Sequence, residues 1–260
     1  MKKIFLFITL FSICHFSNAN VVVLNGLTHV HKTASGETIT GVVKLKNTKD
    51  TEQRIVVYFN NMFQECGKET VLTAEFSHEN SILNWVSTNV NERVLKPKEE
   101  YELIYTIDIP ENVEVDGSYW GVLMIEIEEP IKEEDLEYGV KLESKVRYGI
   151  QLILDINERT PSELDFYDVK FLEEGTSKTL NVSVQNMGTF YVQPTLILEV
   201  FNEEGNKTKK EEVKFKKIYP GFCKPFSIDI SDLSKGFYNA VLMVDYGENL
   251  YAVDLEFEIK

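Results

Sequence analysis

The chain has 260 residues, of which 27 are Lys or Arg and 42 are Asp or Glu, so its formal charge at pH 7 is −15. Apolar residues make up 43% and aromatic residues 12%, which is enough for a packed core and excludes wholesale disorder. The negative charge argues against nucleic acid or an anionic membrane surface as the main partner.

The first 19 residues have the three parts of a secretory signal. Lys2 and Lys3 precede the apolar run Ile4–Ile13, and Ser17–Ala19 ends the segment with small residues. The apolar run is too short to cross a bilayer core of about 30 Å. We therefore expect cleavage after Ala19, a periplasmic or secreted protein, and no membrane span in the mature chain.

The mature chain keeps two cysteines, Cys66 and Cys223. A bridge between them would have to join the two domains assigned below, and pairing requires Cα atoms within about 7 Å. The sequence favours two buried or free thiols over a bridge and leaves their pairing open.

The body of the chain alternates apolar and polar residues with period two, and Gly, Asn, Asp and Pro separate the segments. This pattern predicts short strands of an all-β sandwich fold. The predicted strands are Val21–Leu24, Gly41–Leu45, Arg54–Phe59, Tyr101–Ile109, Tyr119–Ile127, Val146–Ile156, Leu180–Gln185, Leu196–Phe201, Val213–Ile218, Phe226–Ile230, Tyr238–Asp245 and Tyr251–Ile259.

The two halves of the chain repeat one another. Gly117–Glu126 aligns with Gly236–Asp245, Leu95–Pro97 with Ile218–Pro220, and the segment ending at Asn47 with the one ending at Asn186. The polar stretch 158–162 contains a proline and suits a linker. We therefore predict two tandem immunoglobulin-like β-sandwiches, at 20–157 and 158–260, after a signal peptide at 1–19.

The Gly-x-Tyr element of each repeat has a structural interpretation. A tyrosine that opens a strand can bond its hydroxyl to nearby backbone, like the tyrosine corner of immunoglobulin-type sandwiches. An exposed aromatic platform at Tyr119 and Trp120 is the functional alternative. The recurrence of the tyrosine at Tyr238 favours the structural role, and we expect Trp85 to be a core or core-edge residue.

Four segments carry a resemblance to a known family: Asn84–Val86, Val94–Glu99, Tyr105–Pro110 and Gly117–Gly121. Their order resembles that of the immunoglobulin-like modules in PapD-like pilus-chaperone proteins. It is also similar to the first domain of WxL-interacting surface proteins. The resemblance implies a two-sandwich fold and a role without catalysis, which is a fold-level inference.

Pilus chaperones offer the last strand of their first domain to a subunit, and the resemblance implies that Val146–Ile156 is that strand. Its donor-strand candidates are Val146, Tyr148, Ile150, Leu152 and Leu154. The alternative, which we favour, is that these side chains fill the core of their own domain.

The same chaperones hold the carboxylate at a subunit's C-terminus with an Arg of the first strand and a Lys of the donor strand. Here the first strand contains no Arg, so Lys145 and Arg147 are the carboxylate-anchor candidates.

Catalytic motifs are not found. No nucleophile elbow, phosphate-binding loop or His-Glu-x-x-His is present. His29 and His31 share one face of a strand but have no evident third metal ligand. We interpret the acidic segment Glu126–Glu137 as a solvated loop, and the lysines between 207 and 217 as a solvated hairpin that protects an edge strand. We expect no enzyme activity, no cofactor and no metal.

The leading hypothesis is a non-catalytic, chaperone-like accessory protein for the assembly of pili or other surface structures. It would bind a protein partner, a surface or pilus subunit, through a strand edge or through the groove between its domains. The alternative is a surface module that binds cell-wall glycan or a host ligand. The sequence predicts no nucleic-acid partner and leaves the oligomeric state open.

Overall fold

The structure is a computed structural model that describes residues 20–128, 145–214, 216–247 and 249–260, so the signal segment and most of the acidic segment lie outside the described residues. The described part consists of strands and connecting loops without a helix. Ten strands precede the predicted linker: β1 (Val21–Val23), β2 (Thr28–Thr33), β3 (Thr38–Asn47), β4 (Gln53–Phe63), β5 (Val71–Thr73), β6 (Val86–Thr88), β7 (Glu92–Leu95), β8 (Glu100–Asp108), β9 (Gly117–Glu128) and β10 (Val146–Ile156). Seven follow it: β11 (Leu164–Glu174), β12 (Ser177–Asn186), β13 (Thr195–Asn202), β14 (Lys207–Lys214), β15 (Cys223–Asp229), β16 (Gly236–Tyr246) and β17 (Asn249–Ile259).

The first ten strands form two facing sheets. One has the order β1-β3-β8-β6, and the other has the order β2-β10-β9-β4-β5 with β7 paired to β4. The first strand of the chain is divided between them, because β1 pairs with β3 and β2 pairs in parallel with β10. Between β1 and β2, the side chain of Asn25 accepts from the N–H of Lys44 and donates to the carbonyl of Val42, which fastens the crossing to β3.

The last seven strands form a second pair of sheets, with the orders β11-β12-β15 and β14-β13-β16-β17. The all-β architecture of two tandem sandwiches is therefore as predicted. The lysine-rich β14 lies at the edge of its sheet, as expected for a strand whose charges discourage pairing with another chain. Its predicted position at Val213–Ile218 is wrong, because the strand ends at Lys214.

Each sandwich buries its inward-facing residues in a cluster. The first cluster includes Leu45, Leu103, Leu123 and Leu152, which have no exposed surface. The second cluster extends beyond its own sandwich, because it includes residues from the outer face of β9 and β10, such as Trp120 and Ile153. Apolar side chains of the two sandwiches therefore pack against each other. The division of the chain at 157/158 falls between β10 and β11 and stays a prediction.

Two details confirm the internal repeat. The hydroxyl of Tyr119 donates to the carbonyl of Val115 at 2.8 Å, and that of Tyr238 donates to the carbonyl of Ser234 at 2.9 Å. The corner role of the tyrosine is thus confirmed in both halves. Trp120 is buried, and its indole N–H donates to a main-chain carbonyl at 3.1 Å, so it forms no exposed platform.

A buried asparagine ends the equivalent strand in each half. Asn47 donates through its amide nitrogen to the carbonyls of Thr51 and Lys96, both at 2.8 Å. Asn186 donates in the same way to the carbonyls of Phe190 at 2.8 Å and Ile218 at 3.0 Å. Each side-chain oxygen accepts from the N–H two residues further on. The same local network therefore closes the same corner of both sandwiches.

Candidate functional site

The predicted donor strand is β10, whose bounds the sequence predicted as Val146–Ile156. The side chains of Ile150, Leu152 and Leu154 face the opposite sheet and have no exposed surface. Tyr148 is half-buried on the same face and donates to the carbonyl of Val21 at 2.8 Å, and Val146 is 37% exposed. Three of the five donor-strand candidates therefore pack into the core of this sandwich, Tyr148 lies at its edge and Val146 is exposed, and what β10 offers to a partner is mainly its main chain.

The edge of β10 is only partly covered. Within the described residues, β2 pairs with Gln151–Ile156 and leaves the first five residues, 146–150, without a neighbour on that side. The N–H of Gln151 points towards β2, since it donates to the carbonyl of Leu27 at 2.9 Å. Main-chain groups alternate sides along a strand. The N–H and C=O groups of Arg147 and Gly149 consequently point outward along the same uncovered edge.

The two carboxylate-anchor candidates lie on the outer face of the sandwich and are already paired. The ammonium of Lys145 lies 2.7 Å from Glu126 and 3.2 Å from Glu128, and the guanidinium of Arg147 lies 2.6 Å from Glu126. Glu126 is buried, and hydrogen bonds from Lys145 and then Arg147 hold its pKa below the ordinary value. The same bonds raise the pKa of both cations. Cross-strand carboxylates of β9 therefore compensate both charges.

A groove between the two sandwiches begins where the open edge of β10 ends. Its cavity has a volume of about 430 Å³, and Leu27, Gly149 and Gln151 line its wall on the first sandwich. The second sandwich contributes Lys216, Lys217 and Lys224. Lys207, Lys209 and Lys210 of the neighbouring strand β14 pair with Glu199, Glu211, Glu212 or Asp232. Within the described part of the chain none of the three groove lysines lies within ion-pair distance of a carboxylate. The groove is therefore cationic. The sequence predicted a groove between the domains but not its charge, because the lysines that line it come from the second sandwich.

Tyr219 and Phe222 line the groove, and their contacts with the first sandwich help to hold the two sandwiches together. Trp120 contacts Tyr219 and Phe222, with ring centroids 4.8 Å and 5.4 Å apart. The hydroxyl of Tyr219 donates to the side chain of Gln151 at 3.0 Å. His78 stacks on Trp120 at 4.6 Å, and both its ring nitrogens are buried without a partner in the described structure.

A disulfide between Cys66 and Cys223 also joins the sandwiches, with Cα atoms 4.9 Å apart. The expectation of two separate thiols is therefore wrong. The loop that follows β4 carries Cys66 to the start of β15, and the pair lies beside Phe222 and Lys224 of the groove. The covalent link fixes one side of the groove.

Arg159 of the predicted linker bonds to residues of both sandwiches. Its guanidinium lies 3.1 Å from the carboxylate of Asp155, and it donates to the hydroxyl of Tyr246 at 3.0 Å. Asp155 also accepts from the hydroxyl of Ser118 at 2.6 Å, and that hydroxyl accepts from the N–H of Tyr191 at 2.9 Å. The linker is therefore part of a polar joint between the sandwiches, a role that its composition did not predict.

His29 and His31 share the inner face of β2, as predicted, but they converge on a hydroxyl. The oxygen of Tyr105 lies 2.9 Å from Nδ1 of His29 and 2.9 Å from Nε2 of His31. Among the described residues, no three His, Cys, Asp or Glu side chains are grouped in a way that could hold a metal ion. None of the described residues belongs to a helix long and apolar enough to cross a membrane.

No protein-family model matches the chain, and no curated protein matches it. Among solved structures it is similar to the class 5 fimbriae chaperone CfaA, with 11% identity over 93% of this chain and 100% of that chain and a TM-score of 0.46. It is similar to the Pseudomonas aeruginosa chaperone CupB2, with 15% identity over 90% and 98% of the two chains and a TM-score of 0.41. It is also similar to the Salmonella enterica complex of the SafA pilin and the SafB chaperone, with 11% identity over 92% and 96% and a TM-score of 0.42.

Proposed function

We propose that this chain is a non-catalytic, chaperone-like protein that binds a subunit of a pilus or another surface structure in the periplasm or after secretion. A strand of the subunit would pair with β10 along residues 146–150. The end of that strand would lie in the groove between the sandwiches. The sequence resemblance supplies the class of partner, and the geometry of β10 supplies the mode of binding.

The observation that carries this proposal is the open edge beside the groove. Strand addition uses main-chain hydrogen bonds for affinity and pockets for specificity. The outward N–H and C=O groups of Arg147 and Gly149 offer up to four such bonds. Antiparallel pairing with β9 along the whole of β10 holds the strand extended, so a partner would meet an edge that is already ordered.

The groove lysines fit an acidic group at the end of the partner strand. Lys216 is exposed, and Lys217 and Lys224 are half-buried, so they can meet a carboxylate without first leaving another one. Lys145 and Arg147 would have to give up the buried Glu126 in order to do the same. Because removing one member of a buried ion pair is costly, we assign the anchoring role to the groove lysines and keep Lys145 and Arg147 as the second choice.

Site-specific photocrosslinking tests the proposal in cells that produce the protein from its own gene. A photoreactive amino acid at position 147, on the open edge, should capture one subunit of a surface structure. The same amino acid at Asp165, on the outer strand β11 of the second sandwich, serves as the matched control. No adduct at position 147, or equal adducts at both positions, would contradict the proposal.

A further inference from the structure

The hydroxyl of a tyrosine in one sheet of the first sandwich forms hydrogen bonds with the edge strand of the opposite sheet. Tyr105 of β8 reaches across the first sandwich to β2, and its oxygen lies within 2.9 Å of an imidazole nitrogen from both His29 and His31. The ring passes over Gly41 of β3, where a Cβ atom would lie 2.0 Å from it. Glycine at position 41 is therefore what lets Tyr105 reach the edge strand.

The three groups share very few protons. A phenol has one hydrogen, so in the neutral cluster it donates to one imidazole and accepts from the N–H of the other. One added proton can be accommodated, because the new imidazolium donates to the oxygen and the phenol still donates to the second ring. With two added protons both rings are donors, and the phenol hydrogen has no acceptor.

The surroundings do not compensate a second charge. On β10, Leu152 and Leu154 lie beside the two histidines of β2. The polar groups that favour the charged form of His29 are the main-chain oxygens of Asn25 and Gly26. No carboxylate of the described residues forms an ion pair with either ring, and Tyr105 is neutral because burial raises its pKa to about 12. Burial lowers the pKa of both histidines, and the proximity of His29 lowers that of His31 further.

The histidine and tyrosine cluster lies on the strand that covers part of the edge of β10. β2 is the strand that covers β10 along residues 151–156, and within the described residues it has no other strand partner. We propose that His29, Tyr105 and His31 form a proton-operated latch, which releases β2 from β10 when both imidazoles are protonated and lengthens the open edge from residues 146–150 to residues 146–156. The use of that longer edge by a subunit rests on the proposed function, but the latch itself belongs to the free protein.

Hydrogen exchange of the unliganded protein tests the latch at about pH 7.5 and about pH 5, on either side of the ordinary histidine pKa. After correction for the intrinsic exchange rates, we expect the amides of 28–33 to lose about tenfold protection at the lower pH, the effect of about one pKa unit. The amides that pair β3 with β8 should keep theirs. Unchanged protection of 28–33 in the wild-type protein would overturn the proposal.

Variants separate the latch from general acid sensitivity. The double variant His29→Gln with His31→Gln should show the same protection at both pH values. His31→Gln alone should show a smaller loss than the wild-type protein, because the burial of His29 remains but a second charge is no longer collected. His78→Gln, which removes the histidine at the joint, should keep the loss. A loss in His31→Gln as large as that of the wild-type protein would refute the latch. None of these measurements involves a partner, so their failure would leave the photocrosslinking test of the proposed function unaffected.

Discussion

Replacing Arg147 with proline should weaken partner binding while β10 keeps its place in the sheet, and any stability lost with the Glu126 ion pair is shared by the control variant Arg147→Ala. The substitution removes the outward N–H at the centre of the open edge, and a proline is tolerated on an edge strand whose N–H faces solvent. The preceding residue, Val146, is already extended, as a residue before proline prefers to be. The inner-face side chains of β10 are unchanged, so the core keeps its packing.

The magnitude follows from one main-chain hydrogen bond. Such a bond contributes about 0.5–1.5 kcal/mol net, and the proline ring also occupies the place where the partner's carbonyl would lie. We therefore expect the dissociation constant for the captured subunit to rise by at least about two- to thirteenfold, since about 1.4 kcal/mol is a factor of ten. Isothermal titration with the purified subunit measures it.

The control is Arg147→Ala. It removes the same ion pair with Glu126 but keeps the N–H, so the difference between the two variants reports the lost main-chain bond together with the steric effect of the proline ring. Both variants should have similar thermal midpoints. Equal affinities of the proline and alanine variants for the subunit would refute the reasoning.

Three further predictions concern stability. Asn47→Ala and Asn186→Ala should each cost about 2–4 kcal/mol in denaturant unfolding, because each leaves buried main-chain groups without partners; a loss in only one half would argue against equivalent roles. Replacing Cys66 and Cys223 with serine should cost about 3–5 kcal/mol, given that the bridge closes a loop of 157 residues; an unchanged midpoint in thermal unfolding would contradict this. Burial lowers the pKa of His78 from 6.5 to about 4, so the folded state resists protonation and stability falls as the pH drops from about 6.5 to about 4, by about 2 kcal/mol after allowance for partial exposure. His78→Gln should remove this part of the pH dependence of unfolding, and an unaltered slope would show that other groups cause it.

The strands that the sequence predicted well are those with one fully buried face. In β10 every second residue is apolar and packs into the core, so its bounds are evident from the pattern. For β2 the sequence predicted only a strand that carries His29 and His31, and not its bounds, because histidines and a threonine occupy its inner face. β14 was misplaced because it is an edge strand with little to bury, and the apolar residues that suggested Val213–Ile218 mostly follow its end.

The site was only partly predictable for a similar reason. The sequence singled out β10 and the two cations near its start, but the pairing of Arg147 with Glu126 depends on the register between β10 and β9. The groove lysines and the disulfide arise from contact between the two halves, and sequence separation carries no information about that contact. Their physical cause is the packing of Trp120 and its neighbours against the second sandwich.

The most direct measurement is the hydrogen exchange of single amides in β10 with and without the bound subunit. The amides of Arg147 and Gly149 should exchange at least about tenfold more slowly in the complex, because they gain main-chain acceptors. Those of Tyr148 and Ile150, which point towards β9, should change little. A subunit that binds tightly while Arg147 and Gly149 exchange as before would contradict pairing at the open edge of β10.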